Sequence, residues 1–312
     1  MDASEAAPPP TDSPALSVVV LAWDNLALTT AFVDSVRHNT DVSYELLIVD
    51  NGSQPAAASF AETAADRSVL NAENLGFARG MNQGLVAARG ELVAFCNNDT
   101  VLPEAWASRL VETMRAHPNA GIVVPAITTA TNPITVRSHA GTAVEVLEPF
   151  SAPPAGVVYL MRVDIAHALG RWEEEFEVAS GEDVDLCFKV WVNDLDIVFD
   201  ERVLVDHVGH ATASKLEDSQ ELWAVNRSRF LAKWMGPTDP PRLASCDADR
   251  FARNRATARA VAGWMEKYFT IRDRQRARAR AGAPSPAGSS WMRPLRAVYR
   301  RTRRGLASLR PG

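Results

Sequence analysis

Three short apolar runs constrain this chain most. Leu16–Ala22 (LSVVVLA), Tyr44–Asp50 (YELLIVD) and Leu92–Cys96 (LVAFC) are nearly continuous in hydrophobic and β-branched residues. Strands buried on both faces read this way, because a sheet covered by helices on each side has no solvent face to demand alternation. Between the first two runs, Leu28, Phe32, Val33 and Val36 share one helical face, which predicts a helix from Asn25. Strand, helix and strand at this spacing make a βαβ unit, so the expected fold class is α/β with a mostly parallel central sheet flanked by helices.

Each run ends in polar residues. The second gives way to Asp50-Asn51-Gly52-Ser53 and the third to Asn97-Asn98-Asp99. Open α/β sheets bind ligands outside the carboxyl ends of their strands, so these tips are candidate ligand positions. Asp99 suits a divalent cation, since hard cations take oxygen ligands. An Asn/Asp turn that ends the strand and caps a helix near Pro103 is the other reading of the same residues. A polar stretch with Gly76, Gly80 and Gly84 opens into a helix to Ala88 ahead of the third run. Convergence of several polar tips on one edge favours a site for a nucleotide or similar ligand. No G-x-x-x-x-G-K-[ST] and no G-x-G-x-x-G occurs, which weakens kinase and dehydrogenase readings.

Further along, a helix is expected over Pro103–His117, short strands over Gly121–Pro125 and Val157–Met161, and a poorly periodic excursion over 126–155. Val184, Cys187, Phe188 and Trp191 have helical spacing, so Glu182 and Asp183 fall at a helix N-terminus. There they either complement the helix dipole or present a general base at the sheet edge. Two closing strands, Asp196–Asp200 and Val203–Asp206, lead to His207 and His210, either of which could ligate a metal as neutral imidazole. A helix is expected over Glu217–Trp234.

The three cysteines, Cys96, Cys187 and Cys246, fit no zinc or redox spacing and read as buried free thiols. No apolar run reaches the roughly 18 residues of a membrane span. Residues 271–312 hold twelve Arg and one Asp, a net of +11 in a chain whose total is -5, leaving -16 on the first 270 residues. An acidic body with a basic end suggests that the end meets an anionic surface. Within it, Trp291–Arg310 sets Leu295, Val298, Tyr299, Leu306 and Leu309 near one helical face among seven Arg, the pattern of an interfacial helix. Nucleic acid is not an expected partner, because the Arg run lacks interleaved aromatic platforms. The expected organisation is a disordered tail over 1–14, a catalytic-type domain over 15–245, a helical extension over 246–281, a linker over 282–290 and the basic amphipathic tail over 291–312.

Taken together, SVVVLAW, LLIVDNGS, NLGFARGMNQGL, ARGELVAFCNNDT, YLMRVDIAHALGRWEEEFE, GEDVDLCFKVW and DHVGHATAS with NRSRFLAKW resemble the family-2 glycosyltransferases, in their nonprocessive, rhamnosyltransferase-like branch. The resemblance runs from about Leu16 to Trp234. It implies a GT-A, Rossmann-like domain and an inverting, metal-dependent transfer of a sugar from a nucleotide-diphosphate sugar (UDP-, dTDP- or GDP-linked) to a hydroxyl. The acceptor would be a cell-envelope glycan, a lipid-linked saccharide or a secondary metabolite. It further implies that Trp23 and Asp50 contact the donor base, that Arg79 and Asn82 hold the nucleotide edge, and that Asn98 faces ribose or diphosphate. Asp99 and His207 would bind Mg²⁺ or Mn²⁺, Asp183 would be the catalytic base, and Glu182 would lie beside it at the substrate. The expected location is cytoplasmic, at the inner face of the plasma membrane.

Departures from the family pattern keep other functions open. The acidic triplet is reduced to Asn97-Asn98-Asp99, and Arg171-Trp172-Glu173-Glu174 stands where a Gly-Phe-Asp-Glu-type run is usual. A nucleotide-sugar-binding or scaffold protein is therefore one alternative, and a nucleotidyltransferase that releases pyrophosphate is another. The absence of Q-x-x-R-W argues against a processive synthase.

Overall fold

The computed structural model describes residues 13–129, 133–176, 181–209 and 219–280. Nine strands form the sheet: β1 (Leu16–Ala22), β2 (Tyr44–Asn51), β3 (Arg67–Asn71), β4 (Leu92–Asn97), β5 (Thr100–Val101), β6 (Ala120–Ile127), β7 (Val144–Val146), β8 (Val158–Arg162) and β9 (Asp196–His207). Their order is β3-β2-β1-β4-β8-β6-β9-β5, with β7 also pairing to β9. The strands from β3 to β4 are parallel, β8 runs antiparallel between β4 and β6, and β9 is again parallel to β6. The C-terminal ends of β1, β2, β4, β6 and β9 therefore share one edge with the N-terminal end of β8. The α/β class expected from the apolar runs, a mostly parallel central sheet flanked by helices, is the one observed.

Alternation sorts the buried strands onto two cores. Val18, Val20, Leu46, Ile48, Ala94 and Cys96 face α1 (Leu26–Asn39), α2 (Pro55–Ala64) and α4 (Trp106–Ala116). Val19, Leu47, Val93 and Phe95 face α3 (Phe77–Ala87) and α6 (Glu182–Val192). Gly80 and Gly84 belong to α3 and are packing residues: an added Cβ would lie 2.2 Å from Leu21 Cδ1 and 2.3 Å from Val19 Cγ1. Helix α3 thus lies directly on β1. All three cysteines are buried and free.

Several boundaries differ from expectation. Helix α4 begins at Trp106 because Ala105 is left-handed, with φ 56°. The two closing strands are one, β9, whose register against β6 jumps from Pro125↔Asp200 to Ala126↔Leu204 and so bulges out the polar Glu201-Arg202 pair. The long excursion contains β7, whereas the short helix α5 (Val163–Ala168) after β8 lies where the sequence predicts one, over Arg162–Leu169 ahead of Gly170. The N-terminal segment before Ser13, His210 with Thr212, and everything after Arg280, including the expected linker and tail, lie outside the described residues.

Two helices close the molecule, α7 (Ser219–Met235) and α8 (Ala248–Arg280). A buried charge cluster joins α7 to α6. Asp185 is fully buried, accepts hydrogen bonds from Trp234 Nε1 (2.8 Å) and Lys233 Nζ (2.9 Å), and pairs with Lys189 at 3.2 Å. Lys189 also donates to the Arg171 carbonyl at 2.9 Å, and Glu173 contacts Lys233. Two cations and two anions thus balance with their donors used. Arg255, 4% exposed, docks α8 by donating to the carbonyls of Trp234, Lys233, Gly236 and Thr238 and to Asp239. These include carbonyls that the C-terminus of α7 would otherwise leave without partners. Among the described residues, no helix is long and apolar enough to cross a membrane.

Removing one member of a buried ionic cluster leaves the others uncompensated. Asp185→Ala should lower stability by about 3–5 kcal/mol, read from urea unfolding. Loss below about 1 kcal/mol would mean that the two lysines rehydrate freely.

Candidate active site

The edge is built from the strand tips. Asp50, paired with Ala22 in the β1–β2 register, is 1% exposed. Its Oδ2 accepts from the Ser53 N–H at 3.1 Å, while Oδ1 is buried with no hydrogen-bond partner. The Asn25 amide nitrogen is likewise buried and unpartnered. Asp24 and Asn25 are both left-handed, and Asp24 cross-links the two tips: its N–H donates to Ser53 Oγ and its Oδ1 accepts from the Gln54 N–H, each at 2.8 Å. Trp23 is half-buried just before this turn.

An amide network fixes the next loop. Asn51 donates to Asn74 Oδ1 (2.7 Å) and accepts from the Leu75 N–H (3.0 Å) and Asn71 (3.1 Å). Gly52, at φ 77°, lets the loop pass so close that a Cβ would be 2.5 Å from the Glu73 carbonyl carbon. The loop delivers Arg79 on the first turn of α3, where its guanidinium approaches Glu174 at 3.8 Å. Asn82 lies deeper. Its amide donates to the Trp172 carbonyl and Glu174 and accepts from the Trp172 N–H, so it anchors the 172–174 segment.

At the tip of β4, Asn98 is buried and donates to Thr29 Oγ1 on α1 at 3.0 Å. Asp99 and His207 meet because Thr100 pairs with His207 across β5 and β9. Asp99 Oδ1 lies 3.3 Å from His207 Nε2, with both side chains 8% exposed. His207 Nδ1 is 2.7 Å from the Thr129 carbonyl. A carbonyl only accepts, so Nδ1 carries the proton, and in the neutral ring the Nε2 lone pair faces a carboxylate. Two acceptors in opposition call for a cation between them, a proton or a metal. Burial alone would lower the His207 pKa, but the hydrogen bonds to Asp99 and Thr129 and the Asp99 charge hold it above the ordinary value. Among the described residues no group of three or more His, Cys, Asp or Glu is placed to hold a metal, so this pair would supply two ligands only.

Asp183 reaches the same edge through β8. The Asn97 N–H donates to the Val157 carbonyl (3.0 Å), and the adjacent Gly156 N–H points to Asp183 Oδ2 at 3.3 Å. A Cβ on Gly156 would lie 2.9 Å from the Asp183 Cβ, so only glycine allows this approach. Asp183 Oδ1 accepts from the Val184 N–H at 2.8 Å. Loss of hydration raises the Asp183 pKa above the ordinary carboxylate value, against the partial opposition of the Val184 and Gly156 N–H groups. Glu182, buried, precedes it at the start of α6. Thus Asp50, Asn98, Asp99, Asp183, Glu182 and His207 converge on one edge, with Trp23 and Arg79 at its rim and Asn82 behind it. Sequence reasoning missed Thr29, Gly156, Asn51 and Thr129, whose roles are hydrogen bonds and close approaches made across the fold.

A mostly parallel α/β sheet with acids gathered outside the carboxyl ends of its strands defines a ligand-binding α/β protein. The model of Glycosyl transferase family 2 matches residues 17–172, half of the chain, and the protein belongs to that family. EpsH of Bacillus subtilis (strain 168), provisionally named a glycosyltransferase, is 29% identical over 106 residues, 33% of this chain and 31% of EpsH. MT1568 of Mycobacterium tuberculosis (strain CDC 1551 / Oshkosh) is 32% identical over 96 residues, 30% of each chain. The matches thus span about a third of these relatives' length. S. aureus TarS 1-349, solved in complex with UDP-GlcNAc, superposes with a TM-score of 0.57 at 13% identity, over 79% of this chain and 72% of that one. GalNAc-T7, solved with UDP, GalNAc and Mn2+, gives 0.53 at 15% identity, over 79% and 55%. At these identities the likeness is one of fold.

The amide network makes a local forecast. Asn51→Ala leaves the Leu75 N–H and the Asn74 and Asn71 amides short of partners, at a cost of about 1–3 kcal/mol. Hydrogen exchange at Leu75 and Gly76 should quicken while β1 and β4 stay protected; unchanged exchange would show that the loop is held by other contacts.

Proposed function

We propose that the protein is an inverting glycosyltransferase that moves a sugar from a nucleotide-diphosphate sugar to an acceptor hydroxyl. The observation that carries this reading is the meeting of the Asp99–His207 pair and the Gly156-backed Asp183 at one sheet edge. Membership of the family and the UDP-bound fold relatives support a uridine-type donor first, with dTDP and GDP as the other candidates. Asp50 Oδ1, buried without a partner, would accept an N–H of the donor base, with Trp23 beside it. Arg79 would approach the nucleotide, Asn82 would hold the rim that carries it, and Asn98 would lie at the ribose or diphosphate.

Asp99 and His207 would hold Mg²⁺ or Mn²⁺. The donor set fits, because the Nε2 lone pair opposes a carboxylate and Nδ1 is anchored on a carbonyl, as in many metal-bound histidines. When bound, the ion would offset charge on the diphosphate leaving group. Asp183 would take the acceptor hydroxyl's proton as attack proceeds, and Glu182 would border the acceptor. A single base and no covalent intermediate give inversion. The acceptor class we favour is a lipid-linked or envelope saccharide, met at the inner face of the membrane, with the tail 291–310 against anionic lipid. The nonprocessive, rhamnosyltransferase-like branch and the boundaries 15–245, 246–281, 282–290 and 291–312 belong to the same proposal.

Calorimetry with UDP-, dTDP- and GDP-sugars, with and without Mn²⁺, tests the donor side. One donor should bind in a metal-dependent manner, and Asp99→Ala should abolish that dependence. No binding by the folded protein would favour a scaffold role, for which the reduced triplet speaks. Pyrophosphate release from a nucleoside triphosphate would mark a nucleotidyltransferase.

Asp183→Asn should keep donor affinity and lose about 10²–10⁴-fold in turnover. A base works only when ionised, and burial raises the Asp183 pKa. Turnover should therefore fall as pH is lowered through a value above the ordinary carboxylate range. Normal turnover in Asp183→Asn would refute the base assignment.

A further inference from the structure

Away from the sheet edge, exposed apolar groups of α7 lie level with an Arg-rich stretch of the α8 sequence. Helices α7 and α8 run antiparallel: Arg255, early in α8, closes the C-terminus of α7, whereas Phe269 lies 5.0 Å from the Arg227 guanidinium near the N-terminus of α7. Both helices advance about 1.5 Å per residue, so Trp223 stands roughly level with Asp273. That is inside Ile271–Arg280, IRDRQRARAR, which holds five Arg and one Asp. On α7 itself Trp223 is 51% exposed and Val225 37%, beside a shallow groove lined by Ala224, Val225, Ser228, Arg229 and Ala232. The same end of α7 adjoins the candidate site. Asn226, buried, lies against Gly181, where an added Cβ would be 3.9 Å from the Asn226 Cβ, and Gly181 opens the helix that carries Asp183.

We infer that the first half of α7 and the Arg-rich end of α8 form one docking surface for an anionic lipid bilayer. An exposed indole is suited to the headgroup layer, where its apolar ring and polar N–H are both satisfied. A stretch of sequence as rich in Arg as 271–280 is drawn to anionic headgroups. Charge also sets the orientation: the first 270 residues carry -16 and are repelled by such a surface, while the end of α8 is attracted. A nucleic acid would find a cationic sequence here, but among the described residues only one exposed aromatic ring. Docking brings the Asp183 end of α6 towards the lipid. This deepens the proposed transfer to a lipid-linked hydroxyl and rests on that reading for its purpose, whereas binding itself can be measured without any donor.

Flotation of the full chain with vesicles of phosphatidylcholine alone, and of phosphatidylcholine mixed with phosphatidylglycerol, tests the surface. Flotation should require the anionic lipid and weaken with added salt. Trp223→Ser, and separately R274Q/R276Q/R278Q, should each lower the apparent lipid affinity about 5-fold or more, with helical content and calorimetric donor binding unchanged. Equal flotation with neutral vesicles, wild-type flotation by both variants, or retention of duplex oligonucleotide with no vesicle binding would each overturn the inference. Absence of donor binding in a chain that still floats would instead sink the transferase reading alone.

Discussion

Three donors converge on Asp185, and much of the architecture behind the site depends on that one buried carboxylate. It lies two residues beyond Asp183 on the same helix. Lys189, Lys233 and Trp234 fix it from α6 and α7, and through Lys189 and Glu173 the cluster also holds the 171–176 segment. That segment in turn is bound by Asn82 from α3. The rotation and height of α6 are thereby set from three directions. A carboxylate meant to meet a substrate cannot also be tied down by strong ion pairs, so the anchoring is done one helical step away.

The residues on the opposite side of that division are left partly unsatisfied. Asp50 Oδ1 and the Asn25 amide are buried without partners, while Asp99 faces the acceptor nitrogen of a tautomer fixed by Thr129. Elsewhere in the fold, buried polar groups such as Glu45 and Asp200 are saturated by neighbours. Unmet hydrogen-bonding capacity is costly; the indole N–H groups of Trp172 and Trp191 are also buried without partners, but the pair at the strand tips is the one that lies where a ligand's own polar groups would complete it.

Strands β1, β2 and β4 were legible in the sequence because a doubly covered sheet demands uninterrupted apolar residues, and their polar tips marked the edge for the same reason. Asp183 was legible as a helix-terminal acid. What escaped was geometry that depends on distant partners. Nothing local distinguishes β8 as antiparallel, yet its direction is what brings Gly156 to Asp183. The polar pair Glu201-Arg202 looked like a break between strands and is a bulge within one. Gly80 and Gly84 looked like loop residues and are the contact between α3 and β1. Asp185 carries no local sign of its role, because its partners lie about 50 residues downstream on α7.

The reversed direction of β8 also shapes how such a protein can diversify. Strand β6 ends and β8 begins at the site edge, so the excursion between Ile127 and Val158 leaves and returns at the same rim. Its two ends are pinned by the sheet, and lengthening a closed loop costs little, growing only with the logarithm of its size. Insertions there would remodel the mouth as long as they spare β7, which pairs with β9, and Leu147 and Phe150, which belong to the core. The fold thus joins a fixed frame to a rim whose shape can change within one contiguous stretch of chain.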